Sequence, residues 1–332
     1  MKKILLSLAI LCTSLLVMAQ EPPKVLFVGN SYTEVNNLPD LVEKVAKSTG
    51  RSLSHTANTP GGCTFSQHCT NQSMTLIQQG GWDFVVLQEQ SQFPSFPQSQ
   101  VESQCFPYAQ ILANAVHSVG ARPMFYMTWG RRDGDQQNAQ VFPVLGTYEG
   151  MDSMLYERYM DMAVRNEASV CPVGRVWRHL RANRPDIELY QSDGSHPSMA
   201  GSYAAACSFF VMIFHADPAE ITFEAELDPA VAEAVRQAVR TVVYDHYDRW
   251  YDPAHYTEGG GSTEGISSAT STLSRIHPNP ATTQVAIEGP FEILDPMGRI
   301  LLRGRDQADL TNLPHGLYLV RRPGTTEQLI RR

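Results

Sequence analysis

Lys24-Val25-Leu26-Phe27-Val28-Gly29-Asn30-Ser31-Tyr32-Thr33 is the stretch on which the fold turns. Val25 to Val28 is a short unbroken apolar run, which reads as a strand buried on both faces. Gly29 then lets the chain turn sharply. Similar runs recur at 84–87, 123–127 and 170–173, with 51–57 a weaker one. Between them lie longer stretches with helical spacing, at 38–47, 66–79, 101–119 and 151–167. Strand and helix in alternation predict an α/β fold around a parallel sheet. The segments 198–214 and 229–247 read as closing helices, the first apolar nearly all round and hence buried.

In an open parallel sheet, functional groups gather beyond the carboxyl ends of the strands. Ser31 stands at such an end. A serine hydroxyl is a poor nucleophile until a base lies within hydrogen-bond reach. By itself Gly-Asn-Ser reads more readily as a polar turn after a strand. A second segment changes this: Ser192-Asp193-Gly194-Ser195-His196-Pro197 precedes the last buried helix. An Asp three residues before a His on one tight loop can reach the imidazole Nδ1. There it fixes the tautomer and stabilises the imidazolium formed when His196 takes the Ser31 proton. Pro197 suits the first turn of the following helix. Ser31, Asp193 and His196 are thus the expected catalytic triad.

At these residues the chain resembles the SGNH (GDSL-like) hydrolases. Gly29-Asn30-Ser31-Tyr32-Thr33 is similar to their first block, usually Gly-Asp-Ser-Leu or Gly-Asn-Ser. Asp193-Gly194-Ser195-His196-Pro197 is similar to their last block, Asp-x-x-His. The resemblance covers about residues 24 to 216. It implies a three-layer, flavodoxin-like fold, no metal or organic cofactor, and serine-based ester cleavage, often on acetylated carbohydrate. It also implies an oxyanion hole made of the Ser31 N–H, a glycine N–H and an asparagine amide. Gly62, in Pro60-Gly61-Gly62-Cys63, is the preferred glycine, with Gly61 close behind. The third block departs from the family. Where Gly-x-Asn-Asp is expected, Gln88-Glu89-Gln90-Ser91-Gln92 follows the strand. A glutamine amide also donates N–H, from one methylene further away. Gln90 is preferred, with Gln88 and Gln92 as alternatives. The departure marks a divergent bacterial branch. It also keeps open a second function, an inactive glycan-binding module displayed on the same scaffold.

The remaining chain speaks to compartment. In 332 residues, 42% are hydrophobic and 18% charged, enough for a sizeable core rather than disorder. The net charge is −8 and no basic stripe is present, which excludes a nucleic-acid partner. Residues 1–19 read as a signal peptide: Lys2 and Lys3, an apolar stretch too short to span a bilayer, and Val17 and Ala19 at the −3 and −1 positions. No later segment is apolar enough to cross a membrane. Export permits disulfides, and Cys63 with Cys69 is the preferred pair. The hydrolase-like domain is expected over 20–255 and a Gly/Ser/Thr-rich linker over 256–272.

Beyond it, turn signals break up short alternating segments, the pattern of a small β-sandwich. Ile276-His277-Pro278-Asn279-Pro280, Asp295-Pro296-Met297-Gly298-Arg299 and Gly316-Leu317-Tyr318 resemble motifs of the type IX secretion sorting domain, over about 273–332. That likeness implies the type IX secretion machinery as a partner, and an extracellular or outer-membrane-surface destination. A small carbohydrate-binding or adhesive β-sandwich is the other reading of this tail.

Overall fold

The structure is a computed structural model that describes residues 21–256, 276–277, 283–294, 299–314, 316–322 and 325–331. The expected signal peptide and nearly all of the expected linker lie outside the described residues. So do Pro278-Asn279-Pro280 and Asp295 to Gly298. The chain divides into two compact units, Met1–Gly259 and Gly260–Arg332.

In the first unit five parallel strands form one sheet: β1 (Lys24–Val28), β2 (Ser54–Asn58), β3 (Phe84–Leu87), β4 (Arg122–Tyr126) and β5 (Ser169–Cys171). Their order is β2-β1-β3-β4-β5. The helices are α1 (Ser31–Glu34), α2 (Leu38–Ser48), α3 (Phe65–His68), α4 (Gln72–Gln79), α5 (Gln98–Gln104), α6 (Phe106–Ser118), α7 (Gln136–Ala139), α8 (Tyr148–Arg165), α9 (Val173–Asn183), α10 (Met199–Phe214), α11 (Pro229–Val242) and α12 (Tyr247–Tyr251).

This order decides where a site can form. From β1 the chain moves one way to β2, then crosses back over β1 to β3 and continues to β5. Right-handed crossovers therefore put α2 on one face and α4, α6 and α8 on the other. α10 packs on α2, α9 and α11, while α6 contacts α4 and α8, which completes three layers. The direction reverses between β1 and β3, which opens a crevice at the carboxyl end of β1. Ser31 lies there. Val25 to Val28 are fully buried, as a strand covered on both faces must be.

Three helical expectations are corrected. The helix predicted over 66–79 is two, because Asn71 caps α4 by accepting the Ser73 N–H. The helix predicted over 101–119 breaks at Cys105, since Pro107 has no N–H to continue the ladder and stands in the first turn of α6. α10 starts after Ser198, which caps it by accepting from Gly201 N, so Pro197 precedes the helix rather than opening it. α9 was not anticipated.

The second unit holds β6 (Ile276–His277), β7 (Gln284–Leu294), β8 (Ile300–Asp309), β9 (Gly316–Arg322) and β10 (Thr325–Arg331), all paired antiparallel. β8 follows one edge of β7. The other edge is taken by β6 before an irregularity at Ile287–Pro290 and by β9 after it. Val285, Ile287, Phe291, Ile293, Tyr318 and Val320 belong to its own core.

Candidate active site

The structure brings the three expected residues together. His196 Nε2 lies 2.9 Å from Ser31 Oγ, and His196 Nδ1 lies 2.5 Å from Asp193 Oδ2. The Asp193 loop explains its own precision. Oδ1 accepts the backbone N–H groups of Ser195 (2.9 Å) and His196 (3.0 Å), which leaves Oδ2 for the imidazole. Nδ1 therefore carries a proton toward the carboxylate and Nε2 is free to accept from Ser31. Burial opposes the charge on Asp193. Hydrogen bonds from His196 and from the two amides outweigh it and hold the carboxyl below its ordinary range. The Asp193 and His196 side chains are 46% and 32% exposed, so the pair opens to solvent on the rim.

The loop around them is closed on itself. Gln191 N donates to His196 O (2.8 Å) and Ser198 N to Leu189 O (2.9 Å). Gly194 takes the turn at φ +66, a left-handed backbone that suits glycine. Arg132 N donates to Gly194 O at 2.8 Å, so the charged run after β4 braces this loop instead of standing free in solvent. Asp135 in the same run is buried.

An aromatic column supports the base from below. The His196 ring meets Tyr32 edge-on at 5.4 Å, Tyr32 stacks on Trp129 at 4.8 Å, and Trp129 stacks on Trp177 at 3.8 Å. Tyr32 Oη shares a 2.6 Å hydrogen bond with Ser195 Oγ, and Trp129 Nε1 donates to Ser195 O at 3.1 Å. Trp129 is fully buried, so it is a support and not a pocket rim.

The nucleophile turn rests on Gln88. Its Oε1 accepts from Asn30 N (3.0 Å) and Thr33 Oγ1 (2.9 Å). Its Nε2 donates to Asn30 Oδ1 (2.9 Å) and to Glu89 O (2.5 Å). Every hydrogen-bonding atom of this amide is occupied, which removes Gln88 as an oxyanion donor. Gly29 is required here: a Cβ would sit 2.5 Å from Thr33 Oγ1 and 2.8 Å from Gln88 Oε1. Gly29 O accepts from buried His68 Nε2 at 2.9 Å, and His68 Nδ1 faces Ser73 Oγ at 2.8 Å. Burial lowers the His68 pKa, in keeping with a neutral ring that spaces β1 from α4.

Two more loops border Ser31. Asn30 Nδ2 donates to Cys63 O at 3.0 Å, which draws in the 60–63 turn. Cys63 N closes that turn on Pro60 O, and Gly62 holds the third position at φ +67. On the other side Gln90 Oε1 accepts from Gln92 N (2.9 Å) and Phe93 N (3.2 Å). These two bonds fix the Gln90 carbonyl and leave its NH₂ group as the donor end. One amide hydrogen meets Gln92 Oε1 at 3.3 Å, and Gln92 Nε2 is held by Asp135 Oδ2 at 2.5 Å. Gln92 is thus engaged as a brace for Gln90.

The expected Cys63–Cys69 disulfide is absent: both are free thiols. Cys63 Sγ accepts from Asn71 Nδ2, whereas Cys69 Sγ is directed at Tyr108 O on α6, so the two point to different neighbours. Among the described residues, Asp40, Glu43 and His55 bring three ligand-type atoms together. There His55 Nε2 pairs with the two carboxylates at 3.1 and 3.3 Å. Sequence reading missed the supporting roles of Gln88, Glu89, His68 and Trp177.

No known family model matches this chain, and no curated protein matches it. Solved structures do. A candidate SGNH hydrolase from Slackia heliotrinireducens is similar at 27% identity over 58% of this chain and 99% of that one, with a TM-score of 0.49. An acetyl xylan esterase is similar at 13% identity over 57% of this chain and 100% of that one, with a TM-score of 0.47. A DUF4886 family protein from Bacteroides uniformis is similar at 16% identity over 72% of this chain and 98% of that one, with a TM-score of 0.57. This last likeness shows a shared fold.

Proposed function

We propose that the chain is an exported serine esterase that removes acyl groups, acetyl first among them, from a carbohydrate or other small ester. One observation carries the reading: the continuous Ser31–His196–Asp193 hydrogen-bond chain at the switch point of a parallel sheet. Ser31 Oγ attacks the ester carbonyl while His196 Nε2 takes its proton. Asp193 stabilises the imidazolium that results. His196 then returns the proton to the departing alcohol, which leaves an acyl group on Ser31. A water activated by the same imidazole hydrolyses that bond and restores the serine.

Negative charge builds on the carbonyl oxygen in both steps. Three donors suit it. Ser31 N stands at the first position of α1, where no acceptor exists within the helix. Gly62 N lies in the turn drawn to Asn30, and Gln90 Nε2 has one hydrogen not engaged by Gln92. Gln90 would do the work that an asparagine does in the SGNH enzymes.

Residues 273–332, within the Gly260–Arg332 unit, are proposed as a type IX secretion sorting domain. Its antiparallel strands and separate core support an address that is read apart from the enzyme. Among the described residues, no helix is long and apolar enough to cross a membrane.

A fluorophosphonate probe tests the central claim. Wild type is expected to label at one site, and Ser31→Ala to lose the label while keeping its thermal transition. A folded wild type that neither labels nor cleaves aryl acetates or acetylated sugars points instead to the inactive glycan-binding module.

A further inference from the structure

Glu89 is a carboxyl group in the core that the ester-cleavage scheme leaves unused. Its side chain is fully buried. Oε1 accepts two backbone N–H groups, from Phe65 at 2.9 Å and from Gln90 at 2.7 Å. Phe65 opens α3, three residues after Gly62. Gln90 bears the side-chain amide proposed for the hole. One oxygen thus joins the two loops that would supply the hole. The main-chain carbonyl of Glu89 also accepts from Gln88 Nε2 and, at 3.5 Å, from Asn30 Nδ2, so the nucleophile turn is tied to the same residue.

Oε2 is different: it is buried and accepts from no N–H group. The ionisable groups that face Glu89 are Cys105 before α6, Cys63 and Cys69 flanking α3, and Tyr159 on α8. All four are acids that stay neutral near pH 7, so none balances a carboxylate. Burial pushes Glu89 up to about 7, against the pull of the Gln90 and Phe65 amides and the Cys105 thiol. With two N–H donors on Oε1 and none on Oε2, the proton sits on Oε2 whenever the carboxyl is protonated. Oε1 then accepts in both protonation states.

We infer that Glu89 is a positioning residue, whose Oε1 holds the Gly62 and Gln90 loops at the spacing the oxyanion hole needs. The inference rests on the esterase reading for its catalytic consequence and on the clamp alone for its structural one. Glutamine at this position keeps an acceptor oxygen of the same reach without the ionisation. Alanine leaves both N–H groups unpaired.

Two measurements on the full chain decide it. In amide NMR between pH 5.5 and 8.5, the Phe65 and Gln90 signals are expected to titrate together with a midpoint of about 7. The titration vanishes in Glu89→Gln, and both amides exchange at least roughly tenfold faster in Glu89→Ala. In aryl acetate kinetics, Glu89→Ala lowers kcat by roughly 10- to 100-fold with KM nearly unchanged, while Glu89→Gln stays within about threefold of wild type. Unchanged exchange or unchanged kcat in Glu89→Ala overturns the proposal. Should that variant not fold, Glu89→Gln decides: a titration that persists in it overturns the clamp. A wild type that cleaves no ester while the two amides titrate together removes the esterase reading and leaves the clamp standing.

Discussion

Gln88 and Gln90 stand two residues apart on one polar run, yet their amides are spent differently. Gln88 uses both ends of its amide under the Asn30–Thr33 turn. Gln90 uses its carbonyl on the Gln92 and Phe93 amides and retains donor capacity. The two alanine variants should therefore fail in different ways. Gln90→Ala is expected to lower kcat by roughly 10²- to 10³-fold, the usual cost of one oxyanion donor, while Ser31 remains in place. Gln88→Ala strands the Asn30 N–H and the Thr33 hydroxyl in the core. It is expected to lose about 1–3 kcal/mol of stability in urea denaturation. Equal kcat in Gln90→Ala and wild type would remove Gln90 from the hole.

Glu89 gives the same run a pH dependence with a definite sign. Its pKa rises from an ordinary 4.5 to about 7 on folding. Below the unfolded value the carboxyl is protonated in both states and its contribution is fully present. As pH climbs from there toward 7, the unfolded chain sheds the proton first, so stability falls. The whole loss amounts to about 3 kcal/mol. Urea denaturation at pH 5, 6, 7 and 8 should show this decline in wild type and a flatter profile in Glu89→Gln. Parallel profiles for the two proteins would assign the decline to other groups.

At the scale of elements, α10 anchors the loop that carries Asp193 and His196. Its N-terminus follows the His196 loop directly, and Ser198 Oγ caps it at Gly201 N (3.1 Å). A Cβ at Gly201 would run into the Leu189 carbonyl and the Trp177 ring. Gly201→Ala must therefore push α10 from the loop that holds Asp193, or push Trp177 from Trp129. The expected cost is roughly 1–3 kcal/mol of stability, together with a fall in kcat. Calorimetry and esterase assay on the one variant check both, and unchanged values for both would show that the contact yields freely.

The same elements show what a sequence makes legible. β1, β3, β4 and β5 were readable because burial writes a short apolar run, whereas β2, an edge strand with no fully buried residue, gave only a weak one. The hydrogen-bonded set of Ser31, His196 and Asp193 was readable because Asp193 and His196 share one loop and Ser31 follows a strand. α9 carries a readable pattern in Val173, Val176, Trp177 and Leu180, but it begins one residue after β5, and its first residue, Val173, reads as the end of that strand. The Gln88 and Glu89 contacts join residues 58 and 24 positions away, and no local spacing records them. The Cys63–Cys69 pairing failed because nearness along the chain says nothing of direction, and α3 sends the two thiols to different partners.

At the scale of the whole molecule, each unit has a core of its own. The apolar core of the first unit runs from Val25 to Trp250 and contains the supports of the triad. The second unit closes around Val285, Ile293 and Val320. A chain ending at Gly259 should therefore fold cooperatively, label at Ser31 and keep kcat within about twofold of the full chain, since each unit has its own core. Its destination should change. In a bacterium with a type IX system, the full chain is expected at the cell surface or in the medium, and the shortened chain in the periplasm. Fractionation with the fluorophosphonate probe reads both outcomes in one gel. Loss of labelling in the shortened chain would make the tail part of the enzyme, and export of the shortened chain would leave the tail without its address.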